Sequence, residues 1–337
     1  MSDATPIPES ESRPPAGEPL HPRPADPIAP RPDRKGGDLG KRLATAAVLV
    51  PPVVAVIVIG GLPYLATVMA IVLLAQREFY GLIEDKGARP ELRFGLAAGA
   101  ALPLVAYLGN EYHATILMTV TLLAVMVLQL RKARITQALA SISGTFFGIF
   151  YVGWLLAHAV VLRFFYDVVA GRRGFERDPE RLSALTGLVP DSGIFFMLFT
   201  LVVVVWCDAG AYFAGRAYGK RKLAPKVSPG KTVEGAIGGV LAGVLGGCVA
   251  KGVFDVFWPP LSSSLDWLAV TLFAIALSVV GILGDLIESL LKRDAEKKDA
   301  GWLLPGMGGV LDRIDSPLLA IPVMYYMLTF YMFLRVG

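Results

Sequence analysis

The chain has 337 residues, 54% of them hydrophobic and only 18% charged, with a mean hydropathy of +0.57. Soluble domains are roughly 45–50% apolar and about 25% charged, so a disordered chain, a collagen, a disulfide-stapled secreted module and a water-soluble enzyme are set aside. The formal charge of +4 does not signal nucleic acid, because the basic residues lie between apolar blocks, where membrane topology accounts for them.

Residues 1–40 carry ten of the 24 prolines, between Pro6 and Pro32, among Ser, Glu, Asp and Arg. Such a segment has too little apolar surface to offset its ordering entropy and reads as a disordered, Pro-rich cytoplasmic tail. No apolar core follows a basic N-terminus before residue 43, so a secretory signal is not expected. Beyond it, each bilayer crossing takes about 20 apolar residues in a helix that satisfies its own backbone. Spans are expected near 43–60, 62–82, 94–109, 114–130, 143–163, 193–214, 235–257, 267–291 and 316–334, the third short and rich in Gly and Ala. The expected fold is an all-α polytopic integral membrane protein of about nine transmembrane helices. It divides into an N-terminal transmembrane bundle over 41–190 and a C-terminal catalytic transmembrane region over 191–337.

With the N-terminus inside, the inner segments hold 25 of the 32 Lys and Arg residues, which makes the N-terminus cytoplasmic. The outer stretch 163–192 departs from the pattern with Arg163, Arg172, Arg173, Arg177 and Arg181, interleaved with acidic residues. Cys207 and Cys248 lie in apolar segments without paired spacing and read as buried free thiols.

Three polar clusters interrupt the C-terminal half, all at expected cytoplasmic helix ends. They are Asp208 to Arg216, Lys226 to Gly235, and Gly284 to Asp315. Asp285, Glu288, Ser289 and Lys292 are spaced i, i+3, i+4 and i+7, which places them on one helix face. Asp312 and Asp315, three apart, share a face if that turn is helical. Acidic groups in or beside a membrane span mark a functional site by default. Three aspartates brought together repel one another unless a cation intervenes, and oxygen ligands without a nearby His or Cys favour Mg²⁺ over zinc. The plainer alternative pairs these carboxylates with Lys292, Arg293 and Arg313 across a loop. Gly230-Lys231-Thr232 is not a P-loop, because Pro225 stands where the first glycine is required. His21, His113 and His158 accompany none of the clusters, which argues against a His-based triad.

The run from Ser289 through Lys292, Arg293, Lys298-Asp299, Gly301, Leu304-Pro305, Gly308-Gly309 and Asp312-Arg313 to Asp315 resembles the signature of the phosphatidate cytidylyltransferases, or CDP-diacylglycerol synthases. Asp208-Ala-Gly-Ala-Tyr212 with Gly215-Arg216, and Ser228-Pro-Gly-Lys231-Thr232-Val-Glu234-Gly235, resemble the same family. The resemblance implies transfer of CMP from CTP to phosphatidic acid, giving CDP-diacylglycerol and pyrophosphate for phospholipid biosynthesis. It implies that Asp285, Asp312 and Asp315 hold one or two Mg²⁺ ions. Lys292, Arg293 and Arg313 would steady the lipid phosphate or the leaving pyrophosphate. Lys231, Ser228 and Thr232 would bind nucleotide phosphates. Asp208, Glu234, Ser289, Lys298 and Asp299 complete the substrate-binding set, with Lys298-Asp299 alternatively a loop-ordering ion pair. The expected partners are CTP, phosphatidic acid, the bilayer and a second copy in a homodimer, with no nucleic acid. The expected location is a bacterial inner membrane, with the active site on its cytoplasmic face.

The family pattern has His where Met307 stands here, and a methionine neither donates a hydrogen bond nor carries a proton. A non-catalytic or altered-specificity relative is therefore one alternative, and a polytopic transporter of an anionic solute another. The Asp-Gly-x-x-Ala-Arg pattern of CDP-alcohol phosphotransferases is absent, since Ala209 follows Asp208.

Overall fold

The computed structural model describes residues 48, 50–109, 111–132, 136–173, 178–301 and 308–336. The expected tail, the start of the first expected span, Arg177 and Met307 lie outside them.

The described chain is helical almost throughout. In order come α1 (Val50–Ile59), α2 (Gly61–Asp85), α3 (Leu92–Leu108) and α4 (Glu111–Leu130). Next is α5 (Ala138–Arg163), followed by the short helices α6 (Phe165–Arg173) and α7 (Pro179–Thr186), then α8 (Ser192–Tyr218). A hairpin of β1 (Lys222–Ala224) and β2 (Ser228–Thr232) leads into α9 (Val233–Phe257), a single turn α10 (Pro259–Ser262), α11 (Trp267–Asp294) and α12 (Leu311–Val336). Among the described residues, α2, α4, α5, α8, α9, α11 and α12 are each long and apolar enough to cross a bilayer, while α1 and α3 are shorter apolar helices. The protein is thus an all-α polytopic membrane protein, with seven helices of spanning length where about nine crossings were expected.

Packing continues across residue 190. One apolar core runs from Ile57 through Phe79, Val160, Phe195 and Leu277 to Met332. Within the first half, a buried polar chain fixes α2: Gln76 Nε2 donates to the Tyr80 hydroxyl and to the Gly95 carbonyl, each at 2.8 Å, and Tyr80 donates to the Thr145 carbonyl at 2.9 Å. Buried polar links of this kind rigidify and specify a core, and Gln76 Oε1 is left without a partner among the described residues. Against α2 and α3, α5 widens into a π-helical segment at Ile149–Trp154, and such segments recur at functional sites.

The second half is organised by the contact of α8 with α9. A side chain at Gly239 would meet the Cys207 carbonyl at 2.9 Å, and one at Gly243 the Val203 carbonyl at 3.2 Å. The small residues let the two backbones approach closely, the packing mode that lipid-embedded helices use. Both cysteines are free; Cys207 is buried and Cys248 half-buried.

Arg163, one of the basic residues that broke the charge pattern, has a structural task. Its guanidinium is buried, donates to the Ile57 and Val58 carbonyls at 2.6 and 3.3 Å, and pairs with Asp191 at 2.9 Å. It thereby satisfies carbonyls at the C-terminal end of α1 that have no partner within that helix. The turn that follows uses Gly60 and Gly61 at φ 66° and 55°, and a side chain at Gly60 would lie 2.8 Å from the Arg163 guanidinium.

The hairpin was not expected. Its strands pair antiparallel, Lys222 with Thr232 and Ala224 with Ser228, with an irregularity between the two pairs. It exists because both ends are pinned. The Thr232 hydroxyl caps α9 by accepting from Gly235 N at 3.1 Å. Glu234, in the first turn of α9, accepts from the amides of Lys220 and Arg221 at 2.9 and 3.1 Å and from Arg221 Nε at 3.1 Å. An acid in this position is favoured by the orphan N–H groups and the dipole of the helix start.

Candidate functional site

Four elements meet at one end of the bundle: the last turns of α8, the hairpin, the last turns of α11 and the first turn of α12. Lys231, on β2, sends its ammonium to within 2.6 Å of Asp285 Oδ2 on α11. Ser289, one turn after Asp285, donates to its Oδ1 at 3.3 Å. Asp208 on α8, Asp285 on α11 and Asp315 on α12 lie within electrostatic reach of one another and of Lys231. Three carboxylates on three helices therefore converge around one lysine. Asp208 is exposed, and Asp285 and Asp315 are half-buried, so the group opens to the surface.

Beside it lies a second, denser cluster. Lys292 pairs with Glu288 one turn earlier on α11, at 2.5 Å, and with Asp312 on α12, at 2.7 Å. Glu288 is fully buried and Lys292 nearly so. The face shared by Asp285, Glu288, Ser289 and Lys292 is thus present, but it divides its work: Asp285 and Ser289 face Lys231, while Glu288 and Lys292 face Asp312.

Asp312, an expected metal ligand, is surrounded by protein donors. Its Oδ1 accepts from Lys292 Nζ at 2.7 Å and from Ala300 N at 3.2 Å; its Oδ2 accepts from Ala300 N at 3.0 Å and Gly309 N at 2.7 Å. A carboxylate so occupied anchors the chain on either side of it, and this is the pairing across the loop that the plainer reading foresaw. Thr232 and Glu234 likewise direct their oxygens to the cap and the loop described above. Ser228 occupies the hairpin, half-buried. Arg293, exposed, reaches the carbonyls of Val227 and Lys297, both at 3.5 Å, tying the hairpin to the end of α11. Arg313, Lys298 and Asp299 are exposed at the same end. Among the described residues no ion pair joins Lys298 to Asp299, while Lys297 pairs with Asp85 at 2.6 Å.

Two side chains from the N-terminal half enter the site and were not anticipated. Glu78 on α2 accepts from Leu311 N at 2.8 Å, while its Oε1 is buried without a hydrogen-bond partner. An acid inside an expected span, next to Arg77 and ahead of the polar helix end at Glu84 and Asp85, was the signal that could have found it. Tyr151, on the π-helical segment, is buried within electrostatic reach of Glu288 and Asp315, and its hydroxyl has no hydrogen-bond partner among the described residues. Nothing in the sequence distinguishes this tyrosine from the aromatic residues that fill membrane helices.

Among the described residues no three acidic, His or Cys side chains form a ready-made metal cage. The donors nonetheless suit a hard cation. Asp208, Asp285 and Asp315 offer carboxylate oxygen only, and Mg²⁺ is usually held by one or two carboxylates together with substrate phosphate and water. The arrangement combines a phosphate-seeking lysine with carboxylates able to share a cation, at a place where apolar helix faces reach the lipid.

Comparison with known proteins agrees with this chemistry. The sequence profile of the cytidylyltransferase family matches residues 40–331. A phosphatidate cytidylyltransferase of Haemophilus influenzae is 44% identical over 145 residues, 43% of this chain and 48% of that protein. One of Bacillus subtilis is 41% identical over 139 residues, 41% of this chain and 49% of that protein. These two are therefore matched over about half their length. The phosphatidate cytidylyltransferase of Synechocystis is 29% identical over 300 residues, 85% of this chain and 95% of that protein. With a profile match covering most of its length, and with its polar clusters gathered at one end of a helical bundle, the chain belongs to the cytidylyltransferase family.

Proposed function

We propose that this protein is a CTP:phosphatidate cytidylyltransferase of the inner bacterial membrane. A phosphate oxygen of phosphatidate attacks the α-phosphorus of CTP, the bond to the β-phosphate breaks, and CDP-diacylglycerol and pyrophosphate result. The observation that carries this reading is the Lys231–Asp285 pair flanked by Asp208 and Asp315. The names of the relatives supply the substrate class.

Two polyanions must be brought together, so the work is alignment and charge neutralisation. Lys231 exchanges Asp285 for the triphosphate as the nucleotide enters, which releases the Asp285 carboxylate. Asp285, Asp208 and Asp315 are then the residues that would hold one or two Mg²⁺ ions. Bound there, Mg²⁺ supplies neutralisation of phosphate charge and Lewis-acid polarisation. Lys292 holds Asp312 and Glu288 and so fixes the α11–α12 corner. Arg293 and Arg313 add positive charge at the mouth, where the lipid phosphate and the leaving pyrophosphate gather. A phosphate monoester has a second pKa of about 6, so phosphatidate arrives largely dianionic and needs little help from a general base. Exposed apolar residues beside the site, among them Phe213, Ile237, Leu241, Leu283 and Ile287, let the acyl chains stay in lipid while the headgroup reaches Asp208.

The site end faces the cytoplasm, where CTP is found, and the N-terminus lies on that side. α1 and α3 are the two shorter crossings. The working assembly is a homodimer. Purified protein given Mg²⁺, phosphatidate and labelled CTP should form labelled CDP-diacylglycerol; a folded protein that forms none refutes the assignment.

A further inference from the structure

A carboxylate from the N-terminal bundle holds the start of the helix that carries Asp312 and Asp315. Glu78 and Leu311 are 233 residues apart in sequence, yet Glu78 Oε2 accepts from Leu311 N at 2.8 Å. Leu311 is the first residue of α12. The opening N–H groups of a helix have no partner inside it and favour negative charge. The same carboxylate sits against the backbone just before the helix: a side chain added at Gly309 or at Gly301 would run into it. Asp312 grips the same two stretches from the other side, through Ala300 N and Gly309 N. Two acids on different helices therefore clamp one corner between them.

Glu78 is itself placed rigidly. It lies between Gln76 and Tyr80, both fully buried in the polar chain that joins α2 to α3 and α5. Further along, Asp85 pairs with Lys297 at 2.6 Å and Lys86 with Asp294 at 3.0 Å, so the inner end of α2 is tied to the end of α11 as well. Asp315 is one turn beyond Leu311, and any shift of that first turn moves it relative to Asp285 and Asp208.

We infer that Glu78 is a positioning residue for the reaction: by capping α12 from outside, it sets where Asp315 and Asp312 stand against α11. This rests on the proposed cytidylyltransferase reading for its kinetic arm but not for its structural one. It also explains why the N-terminal half, which supplies none of the converging aspartates, is needed for a complete site.

The test compares Glu78→Ala with Glu78→Gln, which keeps an acceptor for the Leu311 amide. Displacing a reacting group by about 1 Å costs up to about 100-fold in rate. Glu78→Ala should therefore lower kcat by about tenfold or more while leaving the KM for CTP within about threefold, the pattern of an interaction felt in the transition state. Glu78→Gln should recover most of the loss. Hydrogen exchange supplies a readout independent of activity: the amides of residues 308–315 should exchange about tenfold faster in Glu78→Ala, with those of α8 unchanged. Unaltered kcat in Glu78→Ala, a loss in Glu78→Gln as deep as in Glu78→Ala, or unaltered exchange at residues 308–315 overturns the inference. If Glu78→Ala does not fold, Gly309→Ala displaces the carboxylate from the opposite side and should show the same fall in kcat; unchanged turnover there also overturns it. A folded wild type that makes no CDP-diacylglycerol sinks the assigned reaction alone, and hydrogen exchange then decides the positioning role.

Discussion

Lys231 Nζ lies 2.6 Å from Asp285 Oδ2, a contact between a β-hairpin and a transmembrane helix 54 residues further along the chain. The pair is only partly shielded, with 24% and 34% of the two side chains exposed, so it can open to admit a phosphate. That is what distinguishes it from the neighbouring Lys292 cluster, which is closed.

Asp285→Asn and Lys231→Met should each reduce CDP-diacylglycerol formation by about 100-fold or more, the scale seen when a preorganised electrostatic contact to a transition state is lost. Neither should alter helix content. Chelation of divalent cations should abolish turnover reversibly and leave the circular dichroism spectrum unchanged, because Lys231 compensates Asp285 when no cation is present. Full activity in Asp285→Asn would remove it from the site.

Lys292→Met acts on stability. It leaves the fully buried Glu288 and the anchored Asp312 without their common cation. Breaking a buried pair from one side costs about 3–5 kcal/mol. A large fall in the thermal midpoint in detergent is expected, partly relieved by adding Glu288→Gln. A midpoint equal to wild type would mean that Lys292 is not the counter-charge of that cluster.

At the opposite end of the bundle, Arg163→Ala removes a buried guanidinium from the Ile57 and Val58 carbonyls. Leaving buried acceptors of a charged donor unsatisfied costs about 3 kcal/mol. Asp191→Asn, whose side chain is 60% exposed, should cost less than 1 kcal/mol, since exposed ion pairs are worth about that or less. Equal losses in the two variants, measured by denaturant unfolding in detergent, would contradict this division of labour.

Asp266 caps α11 and sets a pH dependence. The Ala269 amide, the Tyr331 hydroxyl and the nearby Arg335 hold its carboxyl below the ordinary value of 3.8. A carboxyl depressed in the folded state contributes its stability above the unfolded value, and that contribution is lost as pH falls through the lower folded value. The stability gap between wild type and Asp266→Asn should therefore be constant above about pH 5 and shrink below about pH 4. A gap that widens on acidification would reverse the sign and refute the assignment.

The helices were legible because long apolar runs leave a chain in lipid few options: seven expected spans are helices of spanning length, and the first and third hold shorter apolar helices among the described residues. The hairpin was not, because Lys222 to Thr232 is short, polar and broken by Pro225 and Pro229; its strands persist through Thr232 and Glu234 holding its ends. Spacing correctly put Asp285, Glu288, Ser289 and Lys292 on one face. It could not foresee that Asp312, in the first turn of α12, reaches back three residues to Gly309 N, as acids near a helix start do. Topology put Asp208 at the same membrane face as Asp285 and Asp315, but its closeness to them had to come from the packing of α8 against α11 and α12. Glu78 and Tyr151 were missed for the same reason: long-range partners leave no periodic trace.

The glycine seam between α8 and α9 has a mechanical consequence. With backbone against backbone at Gly239 and Gly243, the two helices behave as one plank, unable to slide or spread at that level without opening a void. Asp208 rides on one edge of the plank and Lys231, through the Thr232 joint, on the other. Thermal rocking of the bundle therefore carries Lys231 and Asp208 in the same direction at the same moment. The gap between the two side chains keeps its width while the surrounding bilayer fluctuates.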